Sequence, residues 1–128
     1  MTRDEIIQSY QEYIACLNRQ GWHDLHHYVA ENVDYNGATI GLEGYREMLV
    51  ADFRAIPDLS FTIALLACDP PMIASRLAFD CTPVGQLFGL PVNGRRVRFD
   101  ENVFYAYERG KIRKVWSVID TARIAAQL

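Results

Sequence analysis

Positions 96–120, RVRFDENVFYAYERGKIRKVWSVID, contain two strand-like segments joined by a short turn. Residues 96–107 and 111–119 each have the length and the apolar content of a long β-strand. The intervening ERG at positions 108–110 places Gly110 where a tight hairpin turn needs a positive φ. We therefore predict an antiparallel hairpin, and strands of this length must twist and curl.

Two further strands precede this hairpin. Residues 59–65 and 72–81 both alternate in the period of a strand, and the DPP at positions 69–71 interrupts them. Residues 85–94 contain three glycines and Pro91, which is typical of a loop. The second half of the chain is thus predicted to be a meander of four antiparallel strands.

The first half has the spacing of helices. Thr2 and Glu5 stand at the spacing of a capping box, and Gly21 ends the helix that follows them. Residues 22–29 predict a short second helix, 32–37 a short strand or turn, 41–56 a third helix and 121–128 a terminal helix. Helices followed by a meander predict an α+β fold, in which the N-terminal helices pack in the concave face of a curled, cone-shaped antiparallel sheet. The open end of such a cone is a pocket.

Composition restricts the class of protein. The chain has 128 residues, which fits a single domain covering 1–128, and half of them are hydrophobic. Thirteen basic and 16 acidic residues give a net charge of −3, which argues against nucleic acid or a membrane surface as a partner. Three cysteines without a CxxC spacing, and no signal peptide, lead us to expect a cytoplasmic protein with reduced thiols.

Metal and cofactor motifs are not evident in the sequence. His23, His26 and His27 cluster with Asp24, but no third ligand stands at a suitable spacing, so we expect a solvated helix face. The glycines form no phosphate-binding loop. We therefore predict no metal and no cofactor.

Three short motifs together resemble the SnoaL-like polyketide cyclases of the nuclear transport factor 2-like superfamily. They are IPDL at 56–59, TPVGQLFGLPVNG at 82–94, and GKI at 110–112 followed by Trp116 and Asp120. The resemblance extends from the first helix to Asp120. It implies a cone-shaped α+β barrel, a homodimer through the outer face of the sheet, and a cofactor-free, aldol-type ring closure.

The resemblance also implies roles for individual residues. An aspartate at the end of the last strand serves the family as general acid/base, and Asp120 matches its position. Arg76 matches an arginine that is common in the second long strand. Many relatives have Thr-His-x-Gly where this chain has TPVG at 82–85, so Pro83 replaces their histidine.

The residues themselves leave two interpretations of Asp120 and Arg76. Beside Trp116, the Asp120 carboxyl would have a raised pKa and could move a proton α to a carbonyl; alternatively, Asp120 is the N-cap of the terminal helix. Arg76 could bind a carboxylate or an enolate oxygen; alternatively, it forms an ion pair with Asp80 or Asp100. Strand alternation places one set of side chains on the face of Asp120, namely Ile112, Lys114, Trp116 and Val118.

Other residues are predicted to bind substrate. Tyr35 and Asn36 would lie at the pocket mouth, although Tyr35 equally suits a packed rim position and Tyr13 the core. On the third long strand, either the face with Asp100 and Asn102 or the opposite face is the inner one, because both include apolar residues. The complete predicted set is Trp116, Tyr35, Asn36, Asp100, Asn102, Phe104, Tyr13 and Phe53.

Three functions remain open from the sequence. The first is a cyclase or isomerase acting on a small hydrophobic, polyketide-like carbonyl compound through an aspartate acid/base. The second is water addition to an epoxide by Asp100, Arg76 and Asp120. The third is a dimeric binding module without chemistry, which the replacement of histidine by Pro83 favours. A homodimer through the sheet is expected because both faces of its long strands are apolar.

Overall fold

The computed structural model describes residues 1–128, with the helices mostly in the first half and the long strands in the second. Its elements in chain order are α1 Arg3–Asn18, a 3₁₀ helix Trp22–His27, β1 Val29–Tyr35, β2 Ala38–Thr39, α2 Gly41–Ala55, β3 Thr62–Asp69, β4 Met72–Cys81, β5 Val97–Glu108, β6 Lys111–Ile119 and α3 Thr121–Ala125. The predicted α+β class is confirmed. None of the helices combines the length and the apolar character needed to span a membrane.

Six strands form one curled sheet that does not close, in the order β2-β1-β6-β5-β4-β3. Neighbouring strands are antiparallel except β1 and β6, which pair in parallel. The predicted meander of four antiparallel strands is β3–β6, and the parallel pair is formed by β1, the segment predicted as a short strand or turn. The long connection through α2 and the meander lets β1 run beside β6 in the same direction.

Local interactions explain the ends of the elements. Thr2 and Glu5 form the predicted capping box, with the Thr2 N–H donating to Glu5 Oε1 at 2.8 Å and the Glu5 N–H to Thr2 Oγ1 at 3.2 Å. The β5–β6 turn has positive φ at both Arg109 (52°) and Gly110 (79°), as a two-residue hairpin with right-handed twist requires. The strand predicted from residue 59 begins at Thr62, because the Asn18 side chain occupies the backbone N–H and carbonyl of Phe61.

The two faces of the sheet differ sharply in burial. On β5, Phe99, Val103 and Tyr105 are buried, whereas Phe104 between them is 54% exposed. The structure thus settles which face of this strand is inner. The inner face packs against α1 and α2 in one core cluster, to which α1 contributes Ile6, Tyr10, Tyr13, Ile14 and Leu17.

Candidate active site

A cavity of about 230 Å³ lies between the helices and the inner face of the sheet. Hydrophobic side chains make up 17 of its 19 lining residues, and the other two are the acids Asp52 and Glu101. Phe88, from the loop between β4 and β5, lines it with 47% of its side chain exposed. A mostly apolar cavity with two carboxyl groups is a site where ionisation costs free energy.

Asp52 reaches the cavity from α2. It follows Leu49 by three residues and precedes Ile56 by four, so the helical period puts it on the same buried side as these two. Burial, and secondly the negative charge of Glu101, raise the pKa of Asp52 to about 6. The Asp52 carboxyl group therefore changes its charge near neutral pH.

Glu101 reaches the cavity from β5, on the inner face between Phe99 and Val103. Burial raises its pKa, and a hydrogen bond donated by the Ser117 hydroxyl to Glu101 Oε2 opposes that rise. Ser117 is itself fixed by Asn36: the Ser117 N–H donates to Asn36 Oδ1 at 2.8 Å, and Asn36 Nδ2 donates to the Ser117 carbonyl at 3.3 Å. The carboxylate thus has a defined orientation inside an apolar wall.

Buried tyrosines form the deep side of the cavity. The hydroxyls of Tyr13 and Tyr45 are 2.7 Å apart, and the Tyr10 hydroxyl donates to that of Tyr105 at 3.2 Å. The rings of Tyr13 and Tyr105 meet edge to face, with centroids 6.1 Å apart. Tyr13, Tyr45 and Tyr105 line the cavity, whereas Tyr10 lies behind it.

Together these groups suit proton transfer on a bound hydrophobic molecule. A carboxylate with a raised pKa is a stronger base than one in water, and an apolar cavity excludes the water that would compete for its proton. Phenolic hydroxyls are neutral hydrogen-bond donors to an oxygen of such a molecule. No group of three or more His, Cys, Asp or Glu side chains in the structure could hold a metal ion.

The comparisons with known proteins agree with this architecture. The family model of the SnoaL-like polyketide cyclases matches residues 7–128. This chain belongs to that family. A crystal structure of a SnoaL-like polyketide cyclase from Agrobacterium tumefaciens strain C58 is 48% identical, with a TM-score of 0.95 over 99% of this chain and 98% of the other.

More distant structures share the SnoaL-like fold. TsrD from Streptomyces laurentii is 22% identical, with a TM-score of 0.86 over 99% of this chain and 96% of its own. IdmH from Streptomyces antibioticus, a candidate polyketide cyclase, is 17% identical, with a TM-score of 0.81 over 94% and 95% of the two chains. No curated protein is significantly similar to the chain.

Asp120 of this SnoaL-like chain does not line the cavity. It is exposed, and its Oδ1 accepts a hydrogen bond from the Arg123 N–H at 3.0 Å as the N-cap of α3. Strand alternation correctly groups it with Trp116 and Val118, but their face is the outer one. A register shift between β5 and β6 at Ala106 and Tyr107 separates Ile112, which is buried, from that set.

Arg76, Asn102 and Asp100 also lie on the outer face. Arg76 is exposed and its Nε donates to Asn102 Oδ1 at 2.8 Å, so neither the pocket role nor the ion pair predicted for it is present. Asp100 pairs with Arg123 at 3.0 Å. The three residues proposed for water addition, Asp100, Arg76 and Asp120, therefore do not meet at the cavity.

Some of the remaining predicted residues line the cavity and the others do not. Tyr13 and Tyr35 line the cavity. Phe104 and Trp116 are exposed outer-face residues at opposed positions of β5 and β6, and neither lines the cavity. Asn36 holds Ser117, and Phe53 packs between Trp22 and Phe61 without lining the cavity.

Three polar cavity residues are absent from the predicted set, namely Asp52, Glu101 and Tyr45, and so is Ser117, which anchors Glu101. A signal for two of them exists in the sequence, because Glu101 is the one acid in the alternating set Phe99, Val103 and Tyr105, and Asp52 stands three residues after Leu49 on an apolar helix side. An acid within an apolar stripe indicates a functional group more strongly than an acid at a strand end. The three histidines are exposed on the 3₁₀ helix, away from the cavity.

Proposed function

We propose that this chain is a cofactor-independent enzyme that transfers a proton next to the carbonyl of a small hydrophobic, polyketide-like compound, leading to cyclisation or isomerisation. Glu101 is the general acid/base in this proposal. The observation that supports it is a single, hydroxyl-anchored glutamate on the inner sheet face of an apolar cavity. Membership of the polyketide cyclase family supports the reaction class.

The two cavity carboxyls have different parts in this proposal. Glu101 is anchored by Ser117, which leaves one carboxylate oxygen free to approach an α-carbon. Asp52 has no hydrogen-bond partner of its own, and its charge interacts with that of Glu101. Because coupled carboxyls titrate as a pair, a proton held by Asp52 lets the Glu101 carboxyl stay ionised as the base.

The lining indicates the kind of substrate. Aromatic rings from α1, the β4–β5 loop and β5 surround the cavity, and flat hydrophobic molecules pack well against such rings. The volume of about 230 Å³ suits a compact molecule of a few rings or a short folded chain. No charged side chain other than the two acids lines the cavity, which favours a neutral substrate.

The test follows exchange of α-hydrogens for deuterium from D₂O in small aryl 1,3-diketones, measured by NMR. Glu101→Gln keeps the shape of the side chain and removes the base, so we expect exchange to fall at least about 100-fold. The matched control is Asp100→Asn, one position away on the outer face, which should stay within about twofold of the parent.

The variant Asp120→Asn tests whether the base is Glu101, as proposed, or Asp120, as the family resemblance implies. Asparagine also caps helices, so this variant preserves α3, and we expect its exchange rate to be unchanged. A loss of exchange in Asp120→Asn together with an active Glu101→Gln would refute the assignment of the base. Tight binding of the diketones without any exchange would instead favour a binding module.

We also propose that two copies associate through the outer face of the sheet. Four large hydrophobic side chains are 40–70% exposed there: Leu65, Phe104, Trp116 and Val118. They stand on β3, β5 and β6. A shallow groove lies between Leu65 and Phe104, where Ala67 and Ala74 are small, and the hydrogen-bonded pair Arg76 and Asn102 also lines it. Contiguous apolar surface of this kind is usually covered by a partner.

A further inference from the structure

The hydroxyls of Tyr13 and Tyr45 include one hydrogen for which the protein provides no hydrogen-bond acceptor. They stand 2.7 Å apart, and the two side chains are only 1% and 3% exposed. Each hydroxyl has one hydrogen, and only one of the two can lie between the oxygens. Neither hydroxyl makes another hydrogen bond with the protein, so one O–H is left without an acceptor. Both residues line the cavity.

A buried hydroxyl without an acceptor is unusual in a native protein. Phenylalanine at both positions would fill the same space without the cost of desolvating two polar groups. The Tyr105 hydroxyl does not accept this hydrogen, because it accepts a hydrogen bond from Tyr10 instead. The hydrogen of the Tyr105 hydroxyl also lacks a protein acceptor. The deep side of the cavity is therefore rich in donors.

These hydroxyls act as donors and not as bases. Burial raises the pKa of both Tyr13 and Tyr45 far above the ordinary value for tyrosine, so both stay protonated at any physiological pH. Glu101, Tyr13 and Tyr45 line the same cavity, and the Glu101 charge contributes to the rise in pKa at both tyrosines. Acceptor and donor groups thus face the same enclosed space.

We infer that the Tyr13–Tyr45 pair is an oxygen-binding site, in which the free O–H donates to the carbonyl oxygen of the substrate and to the enolate oxygen formed from it. This inference rests on the proposed proton transfer by Glu101 and specifies where the substrate oxygen lies. The substrate class is then an enolisable ketone or 1,3-diketone that enters with its carbonyl directed towards α1 and α2.

The step balances with these groups alone. A Glu101 carboxylate oxygen takes the α-proton, and the pair of electrons from the broken C–H bond forms a C=C bond to the carbonyl carbon. The π pair of the C=O bond moves onto oxygen, which the tyrosine O–H stabilises. In an isomerisation the proton of Glu101 returns to another carbon; in a ring closure the enolate carbon attacks a second carbonyl, and the new alkoxide takes that proton.

Binding tests the oxygen site without requiring turnover. The probes are 2-naphthol and naphthalene, which differ by one hydroxyl, titrated into Glu101→Gln protein so that the carboxylate does not repel the probe oxygen. We expect 2-naphthol to bind about tenfold tighter than naphthalene, as one added hydrogen bond in an apolar site would provide. Adding Tyr13→Phe and Tyr45→Phe together should reduce this ratio to about one.

The control is Tyr10→Phe in the same Glu101→Gln background, because Tyr10 is an equally buried tyrosine of α1 that does not line the cavity. It should retain the preference for 2-naphthol. Unchanged naphthalene affinity in each variant shows that the cavity is intact. The inference is overturned if the double tyrosine variant keeps the preference, or if Tyr10→Phe loses it equally.

Deuterium exchange separates this inference from the proposed function. With Glu101 present, Tyr13→Phe/Tyr45→Phe should lower kcat for diketone exchange about 100-fold and change KM much less, because the hydrogen bond strengthens as the enolate forms. An unchanged kcat in an otherwise active enzyme contradicts the oxygen site alone. A parent protein without exchange, whose 2-naphthol preference still depends on the tyrosine pair, refutes the proton transfer and leaves the oxygen site standing.

Discussion

Neighbouring residues on β5 show how the two faces of one sheet differ in chemistry. Glu101 points into the cavity, where burial raises its pKa and one serine hydroxyl anchors it. Asp100, the preceding residue, points outward and pairs with Arg123 beside α3. Two adjacent carboxylates thus have unrelated environments, because strand alternation sends them to opposite sides. Burial, and not residue type, therefore makes a carboxyl group a catalytic candidate.

Substitutions on the outer face of the sheet should change the oligomeric state more than any other prediction here changes its measured property. Phe104 and Trp116 stand opposite each other on β5 and β6, so Phe104→Lys with Trp116→Lys places two charges in the proposed dimer interface. We expect the dimer to weaken at least about 100-fold, because apolar anchors at an interface centre are its main source of affinity. Light scattering at micromolar concentration gives the mass, and circular dichroism checks the fold.

The control for that experiment is Val103→Lys, the inward-facing neighbour of Phe104. A buried lysine in the core should unfold the chain rather than merely separate two copies. A parent protein that is monomeric at micromolar concentration contradicts the dimer proposal.

A smaller effect is expected from Asp52, inside the cavity. Its pKa of about 6 in the folded protein lies above the ordinary value near 3.9, so the folded state binds more protons than the unfolded state between these values. The free energy of unfolding therefore falls as the pH rises through this window. Asp52→Asn removes the penalty and should stabilise the protein at pH 8 by about 2 kcal/mol, with little change at pH 4.

Urea denaturation at the two pH values measures this difference. Glu47→Gln is the matched control, because Glu47 is an exposed carboxylate on the same helix α2. A gain that is equal at pH 4 and pH 8, or equal in both variants, would show that burial of the Asp52 charge is not its origin.

The smallest effect concerns Asp120 on the outer side. Asp120→Ala removes the N-cap of α3 and should lower the free energy of unfolding by about 1 kcal/mol, whereas Asp120→Asn should cost only a few tenths of that amount. Thermal melts of the two variants make the comparison. Equal stability of the alanine variant and the parent would mean that the cap contributes nothing.

Most of the fold follows from the sequence because its signals are local. The 3.6-residue spacing in α1, the capping box of Thr2 and Glu5, and Gly110 between two long strands each act within a few residues. The parallel pairing of β1 with β6 is different, because it joins segments far apart in the chain. No local pattern distinguishes that arrangement from a free edge or a turn.

The site is harder to predict, because alternation shows which residues share a face of a strand but not which face is buried. It groups Trp116 with Asp120 correctly, yet both faces of β6 include apolar residues, so the pattern does not identify the face that meets the helices. The family resemblance indicates Asp120, and alternation places Trp116 on the same face of the sheet, which is the outer one. The same alternation identifies Glu101 as the one acid on the face of Phe99, Val103 and Tyr105.

The pairing of β1 with β6 has a consequence for how the protein is made. The Asn36 side chain holds Ser117 across 81 positions of the chain, and Ser117 in turn anchors Glu101. During synthesis, α1, β1 and α2 leave the ribosome long before β6 does. Their apolar sides are therefore synthesised before the strand that completes the cavity, and closing so long a loop favours slow folding. The side chains that would perform the chemistry thus depend on a contact that spans most of the chain.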